Sequence, residues 1–204
     1  MGRGDSVPSY EGRLELTWTN KHLRLLANAD GSYEWLDPAD YRVAEVRLLH
    51  DVTTVGTVGK RRAADNLLIR GDALHALTSL ARLPEFAQEY LGKVKLAYLD
   101  PPFNTQRSFL HYDDALEHSV WLTMMRDRLG QIKSLLSQDG SIYVHCDSSE
   151  SHYLKAMMDE VFGRANFRTE IIWKRTAGQS YRRAVLEPSS FPQAHRRAFW
   201  AKPR

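Results

Sequence analysis

The chain has 204 residues, 43% of them apolar, which suits one domain with a core and not a disordered polymer. Its net charge of +3 permits a polyanionic partner without demanding one. The one cysteine, Cys146, excludes a disulfide framework and a cysteine-rich zinc site and points to a reducing, intracellular setting, and no run of about 18 apolar residues exists to span a membrane.

Residues 1–65 read as a lead-in of weak pattern. The opening "MGRGDSVPSYEGR" has no apolar stretch after its charges, so it is not a secretory signal. "LELTW" alternates and predicts a short strand, and "NADGSYEWLDPADY" is rich in turn residues. "GKRR" then gathers Lys60, Arg61 and Arg62 into a basic knot, either a polyanion contact or a solvated linker.

From residue 66 the pattern sharpens. "NLLIRGD" predicts a strand stopped at Gly71 and Asp72. "ALHALTSLARL" sets Leu74, Leu77, Leu80 and Leu83 at helical spacing behind Asp72 as cap. "GKVKLAYLD" predicts a second strand whose last residues are apolar on both faces, as in parallel sheets covered by helices. Residues 117–136 predict a helix with Trp121, Met125, Leu129, Ile132 and Leu136 on one stripe. Gly140 closes a connection to the strand "SIYVHCD". A helix follows, starting at Ser148 or Ser149 and ending before Gly163, and then the strand "FRTEIIWKR". Strands alternating with helices imply an α/β doubly wound sheet, with ligands outside the carboxyl ends of the strands. Asp72, Asp100 and Asp147 each follow a predicted strand at that end, where they read either as site acids or, for Asp72 and Asp147, as helix caps.

The stretch "LAYLDPPFNT" stands apart. Pro101 and Pro102 remove two backbone donors and fix two φ angles, and they push the residues before them toward extended conformations. The result is a stiff elbow that holds one carboxylate, undonated carbonyls and one aromatic ring at a strand end, a geometry that suits a site better than a turn.

Residues 100–105, "DPPFNT", resemble the catalytic motif of amino-group DNA methyltransferases, Asp/Asn/Ser-Pro-Pro-aromatic. Five blocks, "NLLIRGDALHALTSL", "KLAYLDPPFNT", "FLHYDDALEHSVWLTMMRDRL", "LLSQDGSIYVHCDSSESHYLKAMMDEVFG" and "NFRTEIIWKR", resemble in order the N-terminal half of adenine-specific methyltransferases of the type III restriction–modification kind. The resemblance covers residues 66–175 and implies a partial Rossmann-like methyltransferase sheet. It also implies S-adenosylmethionine as cofactor, double-stranded DNA as substrate, a cytoplasmic setting, a restriction subunit as partner and a homodimer in the full-length form. Carried over residue by residue, it makes Asp100, Pro101, Pro102 and Phe103 the catalytic elbow. Asp100 and the Pro101 carbonyl would accept from the target amine, and Phe103 would stack on a flipped base beside Asn104. Asp72, with Asp100, would touch the cofactor. His145 lacks a partner set for a metal and reads as a wall or core residue, and no metal site is expected. Cys146 reads as a small buried hydrophobe. Trp173 falls on the strand the family places near the target-base pocket and suits the core equally well. The elbow alone does not separate adenine from cytosine N4 methylation; the surrounding blocks favour adenine.

The resemblance breaks in two places. The glycine-rich Phe-x-Gly-x-Gly cofactor motif is absent from the 12 glycines. Residues 176–204 carry six Arg or Lys against one acid, Glu187, with little periodicity. That segment reads as an irregular basic tail, from a change of reading frame or a natural short end, in which case the C-terminal strands of the sheet are missing. The alternative of another class is an inactive fragment that binds DNA or a partner chain through its basic segments.

Overall fold

The computed structural model describes residues 15–28, 30–50, 66–104, 107–109, 112–114, 117–174 and 195–201. In chain order these form β1 (Arg24–Ala27), β2 (Tyr33–Leu36), α1 (Tyr41–Ala44), α2 (Ala73–Arg82), α3 (Pro84–Tyr90), β3 (Val94–Leu99), β4 (Arg107–Phe109), β5 (Tyr112–Asp114), α4 (His118–Leu135), β6 (Leu136–Asp147), α5 (Ser151–Phe162), a 3-10 turn (Arg164–Asn166), β7 (Phe167–Lys174) and β8 (His195–Ala201). The architecture is α/β, a partial Rossmann-like sheet in the order β3-β6-β8-β7, flanked by two small hairpins, β1-β2 and β4-β5.

The core follows from the period-2 alternation of β6. Ile142, Val144 and Cys146 point to one face and are fully buried. Against them pack Trp121, Met125, Leu129 and Ile132 of α4, the stripe expected from sequence, and Leu154, Met157 and Phe162 of α5. Cys146 is thus the small buried hydrophobe its context implied. The residues between, Tyr143 and His145, face the other way. Gly140 lies inside β6 and not in a connection. A Cβ there would sit 2.8 Å from the Val94 carbonyl oxygen and 2.9 Å from that of Ser137, where the pairing with β3 shifts register. Only glycine lets the strand pass that close.

Carboxylates build the starts of α2 and α4. Asp72 accepts the Leu74 amide at 2.8 Å and caps α2. Glu117 accepts the Ser119 and Val120 amides at 3.1 and 3.2 Å and caps α4. The cap residue of α5 is Glu150, not Ser148 or Ser149. Gly163, at φ 90°, ends that helix in a conformation that costs a side chain strain.

The lead-in is docked more firmly than its weak pattern suggested. The Trp18 indole donates to the fully buried Thr123 hydroxyl on α4 at 2.8 Å. Arg126 of α4 donates to the Lys21 and Leu23 carbonyls, and Arg24 pairs with the buried Asp127.

Five further expectations are corrected. Residues 66–70 form no strand, because nothing described pairs with them and Leu68 faces solvent. Residues 15–18, from the alternating "LELTW", are not a strand either; they carry Trp18 to α4. The sheet is not all parallel: β3 and β6 run parallel, but β8 is antiparallel to both neighbours. Nor is β3 covered on both faces, since Leu96 and Tyr98 are exposed. The segment read as an irregular tail supplies β8. The sequence there shows no apolar alternation, but two flanking strands satisfy its backbone donors and acceptors, and that pairing decides the conformation.

Candidate functional site

The register of β3 on β6 builds the site. Leu99 pairs with Val144, so one step onward Asp100 arrives beside His145. An Asp100 carboxylate oxygen lies 3.2 Å from His145 Nδ1, and the Tyr98 hydroxyl, two residues back on the same face, lies 3.5 Å from the same nitrogen. The Asp100 side chain is 61% exposed, so its carboxylate remains open to a ligand, while His145 is mostly covered. The Phe103 ring meets His145 edge-on, with centroids 5.1 Å apart and planes at 68°. Carboxylate, imidazole and phenyl ring therefore converge at the carboxyl end of β3 and β6, where an α/β sheet places ligands.

Two fasteners hold the elbow. The fully buried Trp121 donates its indole N–H to the Pro102 carbonyl at 2.8 Å. Asn104, buried and at φ 55°, donates its side-chain amide to Glu150 Oε1 at 2.8 Å. That left-handed conformation is one asparagine tolerates better than most residues. The other Glu150 oxygen, Oε2, is 2.9 Å from His118 Nε2.

The structure does not gather all three rim acids. Asp147 is buried and accepts the Ser149 amide at 3.1 Å, which makes it a turn-forming residue. Asp72 caps α2 and its other oxygen takes Arg128 at 2.8 Å. The backbone of Trp173 lies in β7. Lys60, Arg61 and Arg62 fall outside the described residues. Among the described residues, no three His, Cys, Asp or Glu side chains cluster as a metal-holding group, and no helix is long and apolar enough to cross a membrane.

Sequence reasoning missed Tyr98, His118, Trp121 and Glu150 as parts of the site. Trp121 was visible as a stripe residue, but its apolar spacing says nothing about where its N–H points. Glu150 lies 46 residues from Asn104, and no local pattern links the two.

Comparisons with known proteins give the family. The chain is 46% identical over 115 residues to the probable type III restriction-modification enzyme HindVI Mod subunit of Haemophilus influenzae, covering 56% of this chain and 15% of that protein. It is 27% identical over 216 residues to the type III restriction-modification enzyme EcoP15I Mod subunit of Escherichia coli, covering 91% of this chain and 30% of that protein. The chain thus spans less than a third of either relative's length. Two solved structures also resemble it. One, a complex of M1.HpyAVI with SAM, has a TM-score of 0.41 at 17% identity, over 66% of this chain and 54% of that one. The other, the PvuII DNA methyltransferase (cytosine-N4-specific), has a TM-score of 0.44 at 14% identity, over 66% and 49%. A family profile described as DNA methylase, of the N6/N4 methyltransferase type, matches residues 94–203, from the first residue of β3 through the segment that sequence alone had set apart. With more than half of its length inside that match, the chain belongs to the N6/N4 DNA methylase family.

Proposed function

We propose that this chain carries the target-amine side of a DNA adenine N6-methyltransferase that uses S-adenosylmethionine. The observation that carries the reading is the exposed Asp100 carboxylate at the end of β3, on a Pro-Pro elbow, with the Phe103 ring beside it. An exocyclic amine on a base is a poor nucleophile because its lone pair is conjugated with the ring. Asp100 and the Pro101 carbonyl accept its two N–H groups, which favours a pyramidal nitrogen and turns the lone pair outward. Phe103 stacks on the base once it has left the duplex. Catalysis on this side is positioning and electrostatics, with no covalent work for the protein.

S-adenosylmethionine, when bound, supplies an electrophilic methyl group. The Asp72 rim does not fit it as it stands. Asp72 is occupied by the start of α2 and by Arg128. The cleft it borders, shared with Arg24, His75, Thr78 and Met124, holds about 200 Å³. Ligand pockets of cofactor size run from roughly 300 to 1,000 Å³. The glycine-rich cofactor motif is also absent from the sequence. The reading therefore assigns this chain the acceptor half of the site and derives no step through the donor.

The reading takes adenine as the target base, duplex DNA as substrate, a restriction subunit as partner and a cytoplasmic setting, and the type III restriction-modification Mod relatives support its restriction-modification part. In a homodimer, sedimentation would report twice the chain mass. The test uses the protein at its full natural length with labelled S-adenosylmethionine and duplex DNA. Asp100→Ala is expected to lose methyl transfer and to keep most of its DNA affinity, since phosphate contacts supply the larger share of binding. Near-normal methylation by Asp100→Ala overturns the reading. Digestion of the product to nucleosides identifies the base: N4-methylcytosine in place of N6-methyladenine refutes the adenine assignment alone.

A further inference from the structure

The elbow is held on both sides of Phe103. On one side Trp121 grips the Pro102 carbonyl, and on the other Glu150 grips Asn104. Glu150 is buried, and it is the cap residue of α5. One of its oxygens takes the Asn104 amide and the other meets His118, the first residue of α4. Three chain segments that share no local sequence pattern meet on one carboxylate. The His118 ring is steadied in turn by Tyr153 of α5, edge-on with centroids 4.6 Å apart.

A carboxylate buried this way is costly unless its oxygens are matched by donors, and here each oxygen has one. The arrangement does more than satisfy itself. Asn104 occupies left-handed backbone space, so the peptide after Phe103 turns sharply, and the direction of the Phe103 ring depends on that turn being kept. We infer that Glu150 is a positioning residue for methyl transfer: by holding Asn104 in its turn and tying it to the starts of α4 and α5, it sets the Phe103 ring relative to Asp100. The inference rests on the reading of the elbow as the target-amine site, and it assigns Glu150 no contact with the base.

The test is a swap of the two partners in the protein at its full natural length. Glu150→Ala removes both links. Asn104→Asp sets one carboxylate against another. Each is expected to lower kcat by roughly 10- to 100-fold, the scale of a small misplacement at a reacting centre, with a much smaller change in KM for DNA. Asn104→Asp combined with Glu150→Gln restores the link in reverse, the glutamine amide now donating to Asp at 104 while its carbonyl oxygen still accepts from His118. This double variant is expected to recover most of the lost kcat, which a merely structural role for either residue does not require. The Trp121 indole N–H resonance, assigned with Trp121→Phe, reports the elbow without any turnover. It is expected to shift in both single variants and to return toward the parent position in the double variant; where Glu150→Ala fails to fold, Asn104→Asp and the double variant decide the matter. A double variant as slow as the singles, with the resonance unmoved throughout, overturns the inference. So does a parent-like kcat for Glu150→Ala. If Asp100→Ala is inactive in the same assay, the elbow reading survives that result; if Asp100→Ala is active, the elbow reading fails first and takes the inference with it.

Discussion

Asp100 owes its openness to covalent structure and its company to register. Two prolines after the acid stop the strand, and the alignment of Leu99 with Val144 brings His145 alongside. The first fact is written in six consecutive letters and was legible. The second needed the pairing of two strands more than 40 residues apart and was not. Phe103 is where the two readings of the elbow diverge most in their consequences. As a stacking surface it should tolerate replacement by another flat ring. Phe103→Tyr and Phe103→Trp are expected to keep measurable transfer, while Phe103→Ala should lose ~1–3 kcal/mol, the worth of a base–aromatic stack. Steady-state rates of the three variants check this, and equal rates for alanine and tyrosine would reassign the ring to packing. His145 falls between its two sequence readings: mostly covered, as a wall residue should be, yet in contact with the acid and the ring that were read as functional.

α4 shows how one element serves stability and site together. Its stripe of Trp121, Met125, Leu129 and Ile132 faces β6, its first turn holds Trp121 against the elbow, and its flank receives the lead-in. The stripe was readable because helical spacing repeats. The lead-in contact was not, since Trp18 and Thr123 are joined by a single hydrogen bond across 105 residues. Trp18→Ala should destabilise the fold by about 2 kcal/mol, the scale of a half-buried aromatic lost with its indole partner. Urea unfolding measures that, with α4 helicity followed by circular dichroism. The cap of α4 gives a pH signature. The Ser119 hydroxyl, helped by the backbone amides of Ser119 and Val120 and opposed by partial burial, holds the Glu117 carboxyl below its ordinary value of 4.5. A carboxylate depressed in the folded state contributes stability that is fully present above the unfolded value and is lost as pH falls through the folded one. The difference between the parent and Glu117→Gln in thermal midpoint should therefore be constant near neutrality and shrink below about pH 4.5. A difference that grows on acidification would contradict the cap's role. The short hairpin of β1 and β2 left no such trace in the sequence, because two strands of four residues are too brief to show alternation.

For the molecule as a whole, the main alternation of strand and helix was legible from residue 73 to residue 174, but not α3 or the hairpin of β4 and β5. What alternation cannot reveal is which strands become neighbours, and in which direction. The five family blocks pointed to a methylase, and the profile match agrees. The missing glycine-rich motif sets the expectation at this scale: on the proposed reading, the 204-residue chain by itself should not methylate DNA, since the sequence holds the residues proposed for the amine side and no such motif for the donor. Labelled-methyl incorporation checks this, and turnover at micromolar S-adenosylmethionine would show a donor site assembled another way. Residual DNA binding should be weak, non-specific and steeply reduced by added salt, as phosphate contacts require. The sheet order carries one further consequence. β8 follows β7 in sequence yet sits between it and β6, so during synthesis β7 has no described neighbour to join until residues 195–201 emerge. The β3–α4–β6–α5 body can assemble earlier, from nearer contacts, while β7 waits as an unclaimed ribbon whose capture closes the sheet. The order of synthesis and the order of strands thus run against each other, and the piece that closes the sheet emerges after the ribbon it must capture.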